Sequence, residues 1–540
     1  MMTGEAAERE AAGVCDGSAG VTRSYVCPAR DQLFLLPVSM REWLDEGHLA
    51  WFVLDVVARL NTSGLHRRPG GAPGRPPYEP EMMVALLLYA YCCGIRSSRR
   101  IEAQCRTDAA FRVICGGLVP DHATIARFVV EHERALEGLF VEGLRLCAAA
   151  GLCDLSVVAL DGTKIAADAS LARNRDADWI RREVAKLMAL TGEDAEPVAG
   201  AGADALPGIE PVTEISSPAG RLARLQAALA VIEAQDAAAK ALAARQTHAA
   251  AEQAEQGRQV TGRKPKKQPL VVLARAEIEY RVALERVEQM QALRAAKLAA
   301  AAPGQTPKGP PFPCRIRAAT ETLRKAQTRL AAARQAVQAA PETAGRANIT
   351  DPESRIMTTK DGWVQGYNAQ AIVNPKQIVL ACEVSQDAGD VQLYEPMNDK
   401  LTQSLTAAGI TAEIELELAD AGYCSEHNLT CPGPDRLIAT QKDHKQRRAA
   451  RELGLTDGPP PPGLTATEEM EHLLRTPQGA TAYKQRSSLI EPVFGDRKHN
   501  RQIRRFRRRG LHAVRSEWAF IHLAGNILKL HQHRTAAATA

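Results

Sequence analysis

Residues 156–165 read Ser-Val-Val-Ala-Leu-Asp-Gly-Thr-Lys-Ile (SVVALDGTKI). Val157, Val158 and Leu160 make the apolar run expected of a strand buried on both faces. Asp161 closes that run, and a glycine follows it. The stretch ELELADAGY repeats the pattern: a candidate strand over Ile414–Ala419, then Asp420, then Gly422. A carboxylate that ends a buried strand lies at the carboxyl edge of the sheet, where ligands bind in α/β folds. Two such strands side by side bring two carboxylates to one divalent ion. Mg²⁺ takes hard oxygen ligands and keeps several waters. Two ions about 3.5–4 Å apart stabilise both oxygens of a phosphodiester displacement. Glu491, in SSLIEPVFGDRKHNR, is the third candidate acid. Taken singly, each acid has a plainer reading. Asp-Gly is turn chemistry, Asp420 suits a helix cap near Ser425, and Glu491 suits a solvated surface.

Further strands are expected at Trp363–Val373, Ile378–Ser385 and Leu437–Gln441, with a helix over Asp390–Ala408. This order implies a mixed α/β sheet. Asp387 and Asp390 follow a candidate strand and could approach the site, but read rather as turn and helix-cap residues, and Asp361 as part of a hairpin turn. Asp168 reads as loop, and the isolated His122 and His499 read as structural. Between about 170 and 350 the composition turns Ala-rich and charged, which favours helix. Long helices are expected over Arg221–Gln246, Leu270–Ala302 and Arg315–Gln338, forming an insertion outside the sheet. Its loop GRKPKK reads either as a solvated tip or as a second DNA contact.

Before the first strand, apolar residues recur at helical spacing: Trp43, Leu44, Leu49, Phe52, Val53, Val56, Val57 and Leu60. Helices follow over Met82–Cys93 and Ser97–Arg106, and Asp121 is the expected N-cap of another. These short helices suit a bundle better than a helix-turn-helix. The expected organisation is a disordered tail over 1–22, an all-helical domain over 23–150 that serves as a DNA-binding candidate, and a catalytic domain over 151–540. After the last strand a helical region runs from about Glu468 to His533, broken at Pro477 and around Pro492. Pro492 disfavours helical backbone at Glu491, so Glu491 reads as lying at a helix start or at a bend.

Arg497, Lys498, Arg501, Arg504, Arg505, Arg507, Arg508 and Arg509 crowd into thirteen residues. The whole chain carries only +5 over 540 residues, so this local block says more about an anionic partner than the total does. Salt-dependent phosphate binding is the reading preferred over a solvated face. The 12 cysteines show no paired framework or zinc spacing, which suits free thiols in a reducing cytoplasm. The sequence shows neither a secretory leader nor an apolar run of membrane-spanning length, so a cytoplasmic protein is expected.

Longer motifs carry a resemblance. DGTKIAADAS, ITDPESRIMTTKDGWVQGYNAQAIV, ADAGYCS and YKQRSSLIEPVFGDRK resemble the catalytic segments of DDE transposases of bacterial insertion sequences. RDQLFLLPVSMREWLDEGHLAWFV and the helices after it resemble that family's N-terminal region, and RFRRRGLHAVRSEWAFIHLAGNILKL its C-terminal helix. The resemblance implies an RNase H-like core. It assigns Asp161, Asp420 and Glu491 as catalytic and metal-binding residues, and Tyr483, Arg486 and Lys498 as the Tyr-Arg-Lys partners of Glu491. With Arg501, Arg504 and Arg505 these partners form the expected DNA-binding set. The implied cofactor is Mg²⁺ or Mn²⁺, as two ions. The implied partners are double-stranded DNA, as terminal inverted repeats and target, and further copies of the chain assembled on that DNA. The implied chemistry is in-line attack by water and then by a DNA 3′-hydroxyl, without a covalent protein intermediate. A nuclease on the same core, or a DNA-binding protein with a decayed site, are the alternatives.

Overall fold

A computed structural model describes residues 14–16, 24–26, 39–66, 77–191, 217–255, 269–300, 312–339, 345–441 and 454–539. The expected tail lies outside these, apart from a short ribbon of β1 (Val14–Asp16) and β2 (Ser24–Val26), and so does the GRKPKK loop.

The N-terminal region is helical. α1 (Leu49–Val57) starts where the His48 ring accepts from the Ala50 amide at 3.1 Å. The helical spacing read from Trp43 onward is interrupted, with a 3-10 turn at Met40–Glu42 and α1 beginning only at Leu49. α2 (Pro80–Cys92) opens on proline, whose missing amide costs nothing there, and is buried on all sides from Met82 onward. α3 (Ser98–Thr107) and α4 (Ala109–Ile114) meet at Asp108, which caps the second through the Ala110 and Phe111 amides. α5 (His122–Glu131) is capped by Asp121, as the sequence suggests, and α6 (Glu133–Ala149) follows.

β3 (Val157–Ala166) enters the centre of a sheet. The chain then leaves it through β4 (Asn174–Asp176), α7 (Ala177–Thr191), α8 (Pro218–Glu255), α9 (Pro269–Ala299) and α10 (Phe312–Gln338), returning at β5 (Arg346–Asn348). β4 and β5 pair with each other alone, as a neck from which the helices project. These helices keep separate small cores, one around Ile180, Leu225 and Ile232 and another around Ala276, Leu330 and Ala333.

β6 (Arg355–Thr359), β7 (Gly362–Val373) and β8 (Val379–Ser385) complete one side of the sheet. β7 lies antiparallel on β3, while β6 and β8 share its outer edge. The β6–β7 turn at Lys360–Asp361 is the expected hairpin. After α11 (Tyr394–Ala408), β9 (Leu416–Ala419) runs parallel to β3; after α12 (Glu426–Thr430), β10 (Asp435–Ile438) runs parallel to β9. The order across the sheet is thus β10–β9–β3–β7, with β6 and β8 beyond.

α13 (Ala466–Arg475) and α14 (Pro477–Gly495) precede a π-helical turn at Asp496–Asn500, and α15 (Leu511–Thr539) ends the chain. The break at Pro477 is real, since it is the first residue of α14. The break around Pro492 is not, because α14 runs through it to Gly495. Glu491 therefore sits inside a helix rather than at its start. α15 packs between the sheet and the N-terminal helices α2 and α6. One apolar core runs continuously from Ala50 to Leu530. Trp518 is fully buried on α15 and donates from its indole N–H to the Gln370 carbonyl of β7 at 3.0 Å. Among the described residues no helix is long and apolar enough to cross a membrane.

One buried contact fixes α15 to the sheet. The Asn526 side chain accepts from the Val379 amide and donates to the Val379 carbonyl, both at 2.9 Å. Asn526→Ala leaves both buried groups without a partner, at a cost of about 2–4 kcal/mol. Denaturant unfolding of the two proteins measures this, and a loss well under 1 kcal/mol would refute the anchoring role.

Candidate active site

The parallel register pairs Leu160 of β3 with Ala419 of β9. The next residue on each chain is an aspartate, so Asp161 and Asp420 emerge side by side where β9 ends. The Asp161 carboxylate accepts from the Gly162 amide at 2.8 Å, and Asp420 from the Gly422 amide at 2.8 Å. Asp161 is only 21% exposed, and Arg486 of α14 donates to its Oδ2 at 2.9 Å. Burial raises the Asp161 carboxyl above the usual range; Arg486 opposes the rise, and Asp420 adds to it.

α14 and the π-helical turn after it deliver three groups. Tyr483 donates to the Ala419 carbonyl at 3.2 Å, which pins the helix to β9. Burial raises its phenol pKa, and the two aspartates act in the same direction against Arg486. Arg486 sits one turn further on. Past the end of α14, in the π-helical turn, Lys498 donates to the Lys164 carbonyl of β3 at 3.3 Å. Burial lowers its ammonium pKa, and Asp161 partly restores it. The π-turn itself is the kind of helix defect that accompanies functional sites.

Glu491 behaves differently. It lies on α14 two turns before Lys498, but its side chain is exposed. Among the described residues no three His, Cys, Asp or Glu side chains are gathered closely enough to hold one metal ion. The structure therefore brings Asp161 and Asp420 together with Tyr483, Arg486 and Lys498, and leaves Glu491 outside that contact set.

Asp390 corrects a sequence expectation. It does not cap the following helical turn. Its Oδ1 instead accepts from Asn368 at 2.7 Å, Gln370 at 3.2 Å and Lys164 at 3.2 Å. Its Oδ2 lies 3.0 Å from the point where a Cβ on Gly422 would stand, and Asp420 Oδ1 lies 2.8 Å from the same point. Any side chain at Gly422 would wedge between these two carboxylates. Tyr423 donates to Gln370 beneath them. Burial pushes its phenol pKa far up, with Asp390, Asp161 and Asp420 adding to the effect. Sequence spacing cannot separate a capping aspartate from one turned towards a sheet.

The basic block divides in two. Arg497 is buried, paired with Asp496, and threads past Gly525 of α15, where any side chain would collide with its guanidinium. Burial lowers its pKa to about 10, helped by Arg501. Arg501 gives its Nε to Asp496 at 2.8 Å and its Nη1 to the Tyr91 carbonyl at 3.3 Å. Arg508 pairs with Glu133 at 3.2 Å and Arg509 with Asp168 at 2.8 Å. Arg504, Arg505 and Arg507 are exposed. Arg504 leans on the Lys498 carbonyl and His499, while Arg505 and Arg507 have no side-chain partner among the described residues. The ten cysteines whose side chains are described are free thiols.

Paired strand-end carboxylates thus stand with fixed cations beside them and an arginine-rich flank. Residues 38–131 match the family described as Transposase domain (DUF772), and residues 462–531 match the family described as Transposase DDE domain. Both matched segments are of transposase families, and together they support a DDE transposase of the insertion-sequence type, a class whose general activity is DNA cleavage and strand transfer. The second match contains Tyr483, Arg486, Glu491 and Lys498, whereas Asp161 and Asp420 lie outside both. No curated protein and no solved structure matches the chain.

Two outcomes follow from these charges. A raised Asp161 pKa means that the proton stabilises the fold, and that this contribution is lost as pH rises through the folded-state value. Asp161→Asn imitates the protonated form. The variant should melt above the wild type at neutral pH, and the gain should vanish once pH falls below the ordinary carboxylate range of about 3.9. Melting curves across pH check this, and a lower neutral-pH melting point for the variant contradicts it. Separately, Arg497→Ala should lower thermal stability without changing the salt dependence of DNA binding. Arg505→Ala should do the reverse. Finding both effects in both variants would undo the division of the basic block.

Proposed function

We propose that Asp161 and Asp420, with Glu491 as the third acid, form the catalytic centre of this transposase within an RNase H-like sheet. The observation that carries the reading is the parallel β3–β9 register, which sets the two aspartates side by side. The RNase H-like reading is supported by chain order. Apart from the short edge strand β6, the main sheet runs antiparallel through β3, β7 and β8 in chain order, and β9 and β10 then add in parallel on the other side of β3.

The donor set fits Mg²⁺ or Mn²⁺. Asp161 and Asp420 offer hard oxygens, and the bare Gly422 leaves room between Asp420 and Asp390. Asp161 and Asp420 would hold the metal, as one or two ions, with Glu491 joining from α14. Bound there, the metal supplies positive charge to the phosphorus centre and to the attacking and leaving oxygens. The chain's own residues do the rest. Arg486 holds Asp161 in place and offsets the repulsion between the two aspartates. Tyr483 keeps α14 seated on β9. Lys498 sets a cation beside Asp161 for a DNA phosphate. The substrates are double-stranded terminal repeats and target DNA, engaged by a homo-oligomer in the cytoplasm.

The test pairs a reaction with a binding measurement. Asp161→Asn should abolish cleavage of terminal-repeat DNA in Mg²⁺, a loss of at least a hundredfold. It should also remove the Mn²⁺-induced rise in melting temperature and leave DNA affinity within about twofold. Wild-type cleavage by the variant would exclude the proposed centre. Cleavage by the wild type without any joined product would mark a nuclease instead.

A further inference from the structure

The loop after β8 carries an acid for which the catalytic pair does not account. The Asp390 side chain is 25% exposed, and its Oδ1 accepts from Asn368, Gln370 and Lys164. Asn368 and Gln370 are themselves buried on β7, where an amide is costly unless it is hydrogen-bonded. In the antiparallel register they stand opposite Lys164 and Gly162 of β3. Gly162 has to be bare, because any side chain there would collide with the Gln370 amide. Two buried amides, a lysine and a glycine are thus arranged around one carboxylate oxygen.

The loop carrying Asp420 is fixed in the same frame. Tyr423 donates to the Gln370 side chain, and the Asn428 amide donates to the Tyr423 and Val391 carbonyls, both at 2.7 Å. The two acidic loops are therefore tied to β7 and to each other. Among the described residues every hydrogen bond to the Asp390 carboxylate goes to Oδ1. Its Oδ2 is left facing Asp420 Oδ1 across the bare Gly422. Asp420 itself accepts only from the Gly422 amide, whereas Arg486 donates to Asp161. The fold thus presses a second anion against Asp420 and supplies no donor between them. Like charges held face to face are unfavourable, and a divalent cation relieves that repulsion.

We propose that Asp390 is a positioning residue of the catalytic centre, whose anchored carboxylate facing Asp420 strengthens the hold of Asp161 and Asp420 on their divalent cation. The inference rests on the reading of Asp161 and Asp420 as the metal-holding pair. Asp390 is not a third ligand, since among the described residues no three acids gather closely enough to share one ion. It acts through its charge and through the water shell, of which Mg²⁺ keeps several members. Carboxylates outside the ligand set change metal affinity in this way by about 10–100-fold. Lys164 tempers the effect, because it sets a cation 3.2 Å from Asp390 Oδ1.

The full-length protein is titrated with Mn²⁺ alone, without DNA, and free Mn²⁺ is followed by electron paramagnetic resonance. Asp390→Asn keeps the side-chain shape and an acceptor oxygen but removes the charge. It should weaken Mn²⁺ binding by about tenfold or more. Lys164→Met removes the cation beside Asp390 and leaves the carboxylate in place. It should tighten Mn²⁺ binding, by about threefold. A merely structural ion pair predicts instead that both variants lose Mn²⁺ binding alike, and that result overturns the proposal. So does an Asp390→Asn protein that binds Mn²⁺ within about twofold of the wild type while Asp161→Asn does not; the active-site reading then stands alone. Where Asp390→Asn does not fold, Lys164→Met decides, and the absence of any gain in its affinity overturns the proposal. An Asp161→Asn protein with wild-type Mn²⁺ affinity removes the active-site reading and this inference with it.

Discussion

The parallel ladder between β3 and β9 is the interaction on which the rest depends. It joins segments more than 250 residues apart through four pairs, ending at Leu160 with Ala419. Side chains alternate faces along a strand, so a slip of one residue would turn Asp161 away from Asp420. The register is held by burial on both faces: Val158, Ala159, Leu160, Leu418 and Ala419 are all inaccessible to solvent. Apolar packing therefore sets the strand ends, and hydrogen bonds from Gly162, Gly422 and Arg486 then orient the carboxylates themselves.

Placing two carboxylates together in a half-buried site is unfavourable, and the surrounding cations show how the fold tolerates it. Arg486 comes from a helix that the Tyr483 hydroxyl pins to β9. Lys498 comes from the π-turn after that helix and rests on β3. Further out, the arginine block is used first for architecture. Arg497, Arg501, Arg508 and Arg509 tie the C-terminal segment to α2, α6, α15 and the loop after β3. Only the remainder faces solvent. A run of like charges in sequence thus has two unrelated jobs in space.

How much was legible in the sequence depended on which force set each feature. β3, β7, β8 and β9 announce themselves through apolar runs, because burial on both faces leaves few polar choices. β6 was not read, since Met357 is the only buried residue in Arg355–Thr359. α7 was passed over because its two buried turns lie in a charged stretch that resembles the rest of the arm. Asp161 and Asp420 were found from strand-end position, and their partners on α14 from the long motif. For Asp390 the less favoured of two readings holds, because capping and sheet contact demand the same residue in the same place. The helix through Pro492 defied a local rule, its cost offset by the burial of Ile490, Val493 and Phe494 around it. The exposed setting of Glu491 agrees with its plainer reading as a solvated glutamate.

The neck formed by β4 and β5 also sets a schedule for synthesis. Nearly two hundred residues separate the end of β3 from the start of β7, its antiparallel neighbour. At about 5–20 residues per second that interval is roughly ten to forty seconds. Throughout it, an apolar strand of ten residues waits on the ribosome with neither edge paired. The helices of the arm make mostly local contacts and fold quickly once they emerge. The growing chain therefore completes its appendage before its centre, and the strand carrying the first aspartate is the segment most exposed to wrong partners while the molecule is being made.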